Sequence, residues 1–153
     1  MGKMEIVKTE EQLYDIDLME VFAPIEDGRP PLVRFSCTDN KTELFAAING
    51  AGESITTIFG DLIEVTSIII TSADVPIDRN HPDDGTINKP CVNFYTPEGQ
   101  HYASISNGVV RATRNMLGMG LLPSSDNPIQ IVFKQIRTAK GTAHTFDIVD
   151  GME

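Results

Sequence analysis

Thr96-Pro97-Glu98-Gly99 separates two short segments rich in β-branched and aromatic residues, Val92 to Tyr95 and His101 to Ile105. No other stretch restricts the fold as much. Proline suits the second position of a type I turn and glycine the left-handed position after it, which predicts a hairpin with a three-residue bulged loop. In that register Tyr95 faces His101 and Phe94 faces Tyr102. A two-residue count at the same turn would instead put Tyr95 and Tyr102 on one face, and the sequence leaves both registers open.

The segments on either side extend the pattern. Ser106 can cap a helix running to about Leu117, with Val109, Val110, Thr113, Met116 and Leu117 on one stripe and Arg111, Arg114 and Asn115 on the other. Gly118 and Gly120 end it. After a turn at Pro123 to Pro128, Ile129 to Arg137 alternates as a strand, Thr138 to Thr142 turns on Lys140-Gly141, and His144 to Val149 returns. Upstream, Leu44 to Ile48 reads as a strand and Asn49 to Gly52 as a turn. Leu62 to Thr71 reads as a long β-branched strand that is covered on both sides or bends across a curved sheet. Asp74 to Pro90 reads as a long, mobile polar loop. In the first 42 residues, Thr9 to Gln12 has a capping-box pattern, and the apolar residues from Leu13 to Phe22 suit a short helix or strand packed on the body. Asp27-Gly28 and Pro30-Pro31 then force a loop before a strand over Leu32 to Thr38.

The expected fold is mainly β: an OB-like five-stranded barrel over residues 43–153 with one helix between its third and fourth strands, and residues 1–42 as an N-terminal extension packed on it. A ferredoxin-like or SH3-like sheet with one helix shares this string. The length of 153 residues and a composition of 41% hydrophobic and 22% charged residues suit one globular domain. The two cysteines, Cys37 and Cys91, form no CxxC pair, and no apolar run resembles a signal peptide, so a soluble cytoplasmic protein is expected.

The Gly-rich turn with the β-branched run GAGESITTIFGDLIEVTSIII, the hairpin NFYTPEGQHYASIS, and the closing FKQIRTAKGTAHTFDIV share an order and spacing. An acidic residue precedes glycine in the hairpin turn, Tyr102 stands three residues after that glycine, Ile105-Ser106 leads into the helix, and a Lys-Gly turn joins the last two strands. Over roughly residues 43 to 149 the chain resembles the single-stranded DNA-binding proteins of phages that replicate by protein priming. The resemblance implies an OB-like fold and stoichiometric coating of single strands without catalysis or cofactor. It also implies the host cytoplasm as location, and single-stranded DNA and phage replication proteins as partners.

Such binding needs aromatic faces for the bases and cations along the backbone path. The hairpin offers Phe94, Tyr95, His101 and Tyr102, with Tyr102 matched by position to a tyrosine of the family; the alternative for each ring is the core. A net charge of -10 opposes nucleic acid, yet the charge is partitioned. Residues 106–149 hold Arg111, Arg114, Lys134, Arg137 and Lys140 against only Asp126 and Asp147, whereas the first 105 residues carry the acidic excess. Lys134, Arg137 and Lys140 stand on or near the last hairpin loop, one edge through which OB folds hold oligonucleotides.

Other constellations fall short. In the loop with Asp74, Asp78, His81, Asp83 and Asp84, Pro82 occupies a calcium-ligand position and Lys89 stands where a bidentate glutamate belongs, so no metal is expected. The three histidines are scattered, no Ser or Cys sits in a nucleophile context, and Gly118-Met119-Gly120 lacks the rest of a phosphate loop. No catalytic residue is assigned. The second reading, from a different class, is an acidic β-barrel interaction or inhibitor module that binds a basic host or phage protein.

Overall fold

A computed structural model describes residues 21–25, 30–139 and 141–149. Eight strands form two sheets: β1 (Val33–Ser36), β2 (Glu53–Ser54), β3 (Leu62–Val65), β4 (Ser67–Pro76), β5 (Thr86–Tyr95), β6 (His101–Ser104), β7 (Ile129–Thr138) and β8 (Gly141–Ile148). One sheet has the order β1-β4-β5-β6-β2 and the other β3-β7-β8. The connections between strands hold the α-helices α1 (Lys41–Ile48) and α2 (Asn107–Gly118) and short 3-10 helices at Ile55–Ile58 and Pro82–Asp84.

The β-branched run is the hinge of the design. It bends at Thr66, whose backbone N–H donates to Tyr95 O at 2.8 Å, so β3 pairs with β7 while β4 pairs with β5. Counting β3 and β4 as one bent strand, the order is bent strand, β5, β6, α2, β7, β8, which is OB-like with its helix between the third and fourth strands. The barrel is not closed. The free edge of β6 pairs in parallel with β2, not with β8.

The core gathers on the inner faces of both sheets. Phe94, Phe133 and Phe146 meet edge to face with centroids 5.0, 5.7 and 5.6 Å apart, surrounded by Ile68, Ile70, Val92, Ile131 and the buried stripe of α2. That stripe is Val109, Thr113, Met116 and Leu117, as its 3.6-residue spacing predicts. Gly108 brings α2 against β8 so closely that a Cβ there would overlap His144 O. Gly120, at φ +84°, ends the helix as its Schellman glycine: Leu121 N–H donates to Met116 O and Gly120 N–H to Leu117 O. Ser106 holds the N-cap position but donates its hydroxyl to His144 O at 3.3 Å, so it ties helix to sheet instead of capping.

Three expectations are corrected. Residues 44–48 form a helix, not a strand, because Asn40 Oδ1 accepts from Glu43 N–H at 3.0 Å and starts a run of helix-favouring residues. Leu44 and Ala47 then pack on Ile69 and Tyr95 of the outer sheet face. Residues 74–90 are not one loop: Asp74 to Pro76 and Thr86 to Pro90 pair in β4 and β5, leaving residues 77–85 as the tip of a long arm. Gly118 lies inside α2, and Gly120 alone supplies the left-handed stop.

The capping-box pattern at Thr9 to Gln12 lies outside the described residues. Phe22 is buried in the core, and Ile25 bridges Asn88. Arg34 fixes this segment by donating to Val21 O, Ala23 O, Asn88 Oδ1 and Ser72 Oγ at 3.1, 2.5, 2.7 and 3.0 Å.

Candidate nucleic-acid interface

The hairpin register is the bulged one. Phe94 pairs with Tyr102 and Tyr95 with His101; the loop closes through Thr96 and Gln100 with Gly99 at φ +85°. Phe94 (0% exposed) and Tyr102 (5%) therefore point into the core. Tyr95 (4%) points to the opposite face, where α1 covers it and its hydroxyl donates to Glu43 O at 2.7 Å. Burial, and then the nearby Glu43 carboxylate, push its phenol up to about 12. His101 is half-buried: its ring stacks on Tyr95 with centroids 4.3 Å apart, and Nε2 lies 2.7 Å from Asn93 Oδ1. Stacking a base on Phe94, Tyr95 or Tyr102 would require the ring to leave these contacts.

Burial holds the His101 imidazole below its ordinary value, so the folded state takes up its proton less readily than the unfolded chain. Stability from this group is full above pH about 6.5 and is lost as pH falls through the lower folded value. Urea midpoints should thus be lower at pH 5.5 than at pH 7.5, and His101→Gln should shrink that difference; an undiminished difference would assign the loss to other groups.

The open side of the barrel holds a cleft of about 890 Å³. The β4–β5 arm lines it with Val75 to Ile77, Arg79 and Lys89; β6 and the start of α2 add Ala103 to Gly108; Thr142 to His144 of β8 close it. Among the described residues, no carboxylate lines it and His144 is the one aromatic ring in its wall. The His144 ring rests edge-on against Phe59 at 5.1 Å. Ile77 and Ile105 expose aliphatic surface beside it.

The expected cations divide by strand parity. Arg137 pairs with Thr142 on the face of the β7–β8 arm that continues from Phe133–Phe146 through Gln135–His144, so it shares the cleft side. Lys134 stands on the opposite face and bonds Asp147 at 2.7 Å. Arg111 and Arg114 are exposed on the outer side of α2, and Lys140 lies outside the described residues. Arg79 and Lys89 were not expected: they sit in the polar stretch counted within the acidic part of the chain. Ile87, Asn88, Lys89 and Pro90 show no apolar alternation, so no pattern in the sequence carried β5 into that stretch.

The model of the phage single-stranded DNA-binding protein family matches residues 33–148, about three quarters of the chain. The protein belongs to that family. The match begins at β1 and ends with β8, and thus takes in both sides of the cleft and both arms. No curated protein and no solved structure matches the chain.

Proposed function

We propose that this phage single-stranded DNA-binding protein coats and protects replication intermediates without sequence preference and without catalysis, in the host cytoplasm. The strand runs through the cleft between the two arms. Arg79, Lys89 and Arg137 hold its phosphates, and bases pack on His144, Ile77 and Ile105, with serine and threonine hydroxyls along the wall. One observation carries the reading: in a chain of net charge -10, the described residues give the cleft on the open barrel side two cations in its wall and no carboxylate. Three cations supply a small electrostatic share, so affinity should fall by a slope of about 2 in log K against log salt, at about 0.7 per phosphate. A fluorescence titration with oligo-dT of a few tens of nucleotides at several salt concentrations measures it. Undetectable binding at micromolar protein and low ionic strength would end the proposal.

A further inference from the structure

At the other end of β4 a second cleft, of about 880 Å³, has the opposite character. Among the described residues, Ser36 to Asn40, Glu43, Thr66, Ser67, Ser124 and Ser125 line it: two carboxylates, six hydroxyls and no cation. Ser67 is 4% exposed, and its Oγ is the one buried side-chain polar atom without a hydrogen-bond partner among the described residues. Its neighbours are engaged: Ser36 Oγ donates to Thr38 O, Thr66 Oγ1 to Tyr95 O, and Thr38 and Ser124 hydroxyls accept backbone N–H groups. Ser67 shares the strand parity of Ile69, whose side chain meets α1, so its hydroxyl points to the side where Asn40 and Glu43 begin that helix. A buried hydroxyl left unpaired is destabilising, and a ligand in the cleft would relieve it.

The chemistry of the wall selects the ligand. Two carboxylates in a wall to which no described cation contributes, Lys41 standing outside it, repel phosphate and attract a positive group. Asp39, Glu43 and Cys37 do not converge as metal ligands; among the described residues the one such cluster is Asp78, His81 and Asp84 on the arm tip. Burial keeps the Cys37 thiol neutral, with its value raised to about 11. Carboxylates and a hydroxyl acceptor distributed around one cleft call for a cation with several diverging N–H donors, which is a guanidinium rather than an ammonium.

We propose that this cleft receives an arginine side chain of a partner protein, with Asp39 and Glu43 accepting the guanidinium N–H groups and Ser67 Oγ accepting one more. Ser67 stands eight residues along β4 from Val75, roughly 26 Å at about 3.3 Å per residue, so the partner and a strand in the first cleft can be held together.

The test is an amide-resolved NMR titration of the full chain with N-acetyl-arginine amide, and with N-acetyl-citrulline amide as the uncharged match. Saturable shifts confined to residues 36–43, 66–67 and 124–125 are expected with the arginine probe only. Binding should weaken at least tenfold in Asp39→Asn/Glu43→Gln and measurably in Ser67→Ala, while oligo-dT affinity stays the same in both. Equal shifts from citrulline, shifts scattered over the acidic surface, or unchanged arginine affinity in the double variant would overturn the proposal. So would shifts of the same residues by magnesium with the arginine probe inert.

Discussion

Phe94→Ala should lower the free energy of unfolding by about 3 to 5 kcal/mol, the usual loss for a large aromatic removed from a packed core. The ring has no exposed surface, meets Phe133 and Phe146 edge to face, and sits between Ile68 on β4 and Tyr102 on β6. Its loss removes transfer energy and leaves a cavity that four different strands would have to move to fill. For a domain stable by about 5 to 15 kcal/mol this is a large fraction, visible in a urea titration followed by far-UV circular dichroism. Tyr102→Phe is the contrast. It keeps the ring in the same core and deletes only the hydroxyl, so it should change stability by about 1 kcal/mol or less. If Phe94→Ala left stability within 1 kcal/mol of the parent and abolished oligo-dT binding, the ring would be a stacking platform and the packing described above would be wrong.

That experiment bears on what the sequence can and cannot disclose. Residue type says that a ring will be covered by something, and only the register decides whether protein or a base covers it. Pro97 and Gly99 favour the bulged register without excluding the other, because both satisfy the local turn chemistry. That the run from Leu62 to Thr71 is covered on both sides or bends was legible for a physical reason, since a β-branched run apolar on both faces cannot lie on one flat half-solvated sheet; the place of the bend, Thr66, was not. The stretch Leu44 to Ile48 was not, since a short apolar run fits helix and strand alike, and its capping residue Asn40 lies before the run. The β4–β5 arm was hidden for a related reason. Beyond the barrel its strands bury little core, so Asp74 to Pro76 and Thr86 to Pro90 lack the apolar alternation that marks a strand. Arg79 and Lys89 were then averaged with the aspartates around them, and their proximity to Thr142 to His144 exists only once the two arms fold toward one cleft.

The variant Arg79→Gln/Lys89→Gln/Arg137→Gln should bind oligo-dT about a hundredfold more weakly at 0.1 M salt, with the salt slope reduced by about 2, since each phosphate released on a single strand contributes about 0.7. Glutamine keeps most of each side-chain stem, and Arg79 and Arg137 are exposed, so the melting temperature should stay close to that of the parent. Removing three cations also makes an already acidic protein more so, and a loss of affinity alone would not separate local contact from overall repulsion. Arg111→Gln/Arg114→Gln makes that separation. It removes two charges from the outer side of α2, away from the cleft wall, so repulsion that depends on total charge would weaken binding there to a comparable degree per charge. Contact in the cleft predicts instead that the α2 pair shifts affinity by less than threefold with the slope intact, because neither side chain lines the cleft and salt screens exposed charges. Were the α2 pair to carry the slope and the cleft variant to leave it unchanged, the DNA path would run over α2 and the cleft would need another ligand.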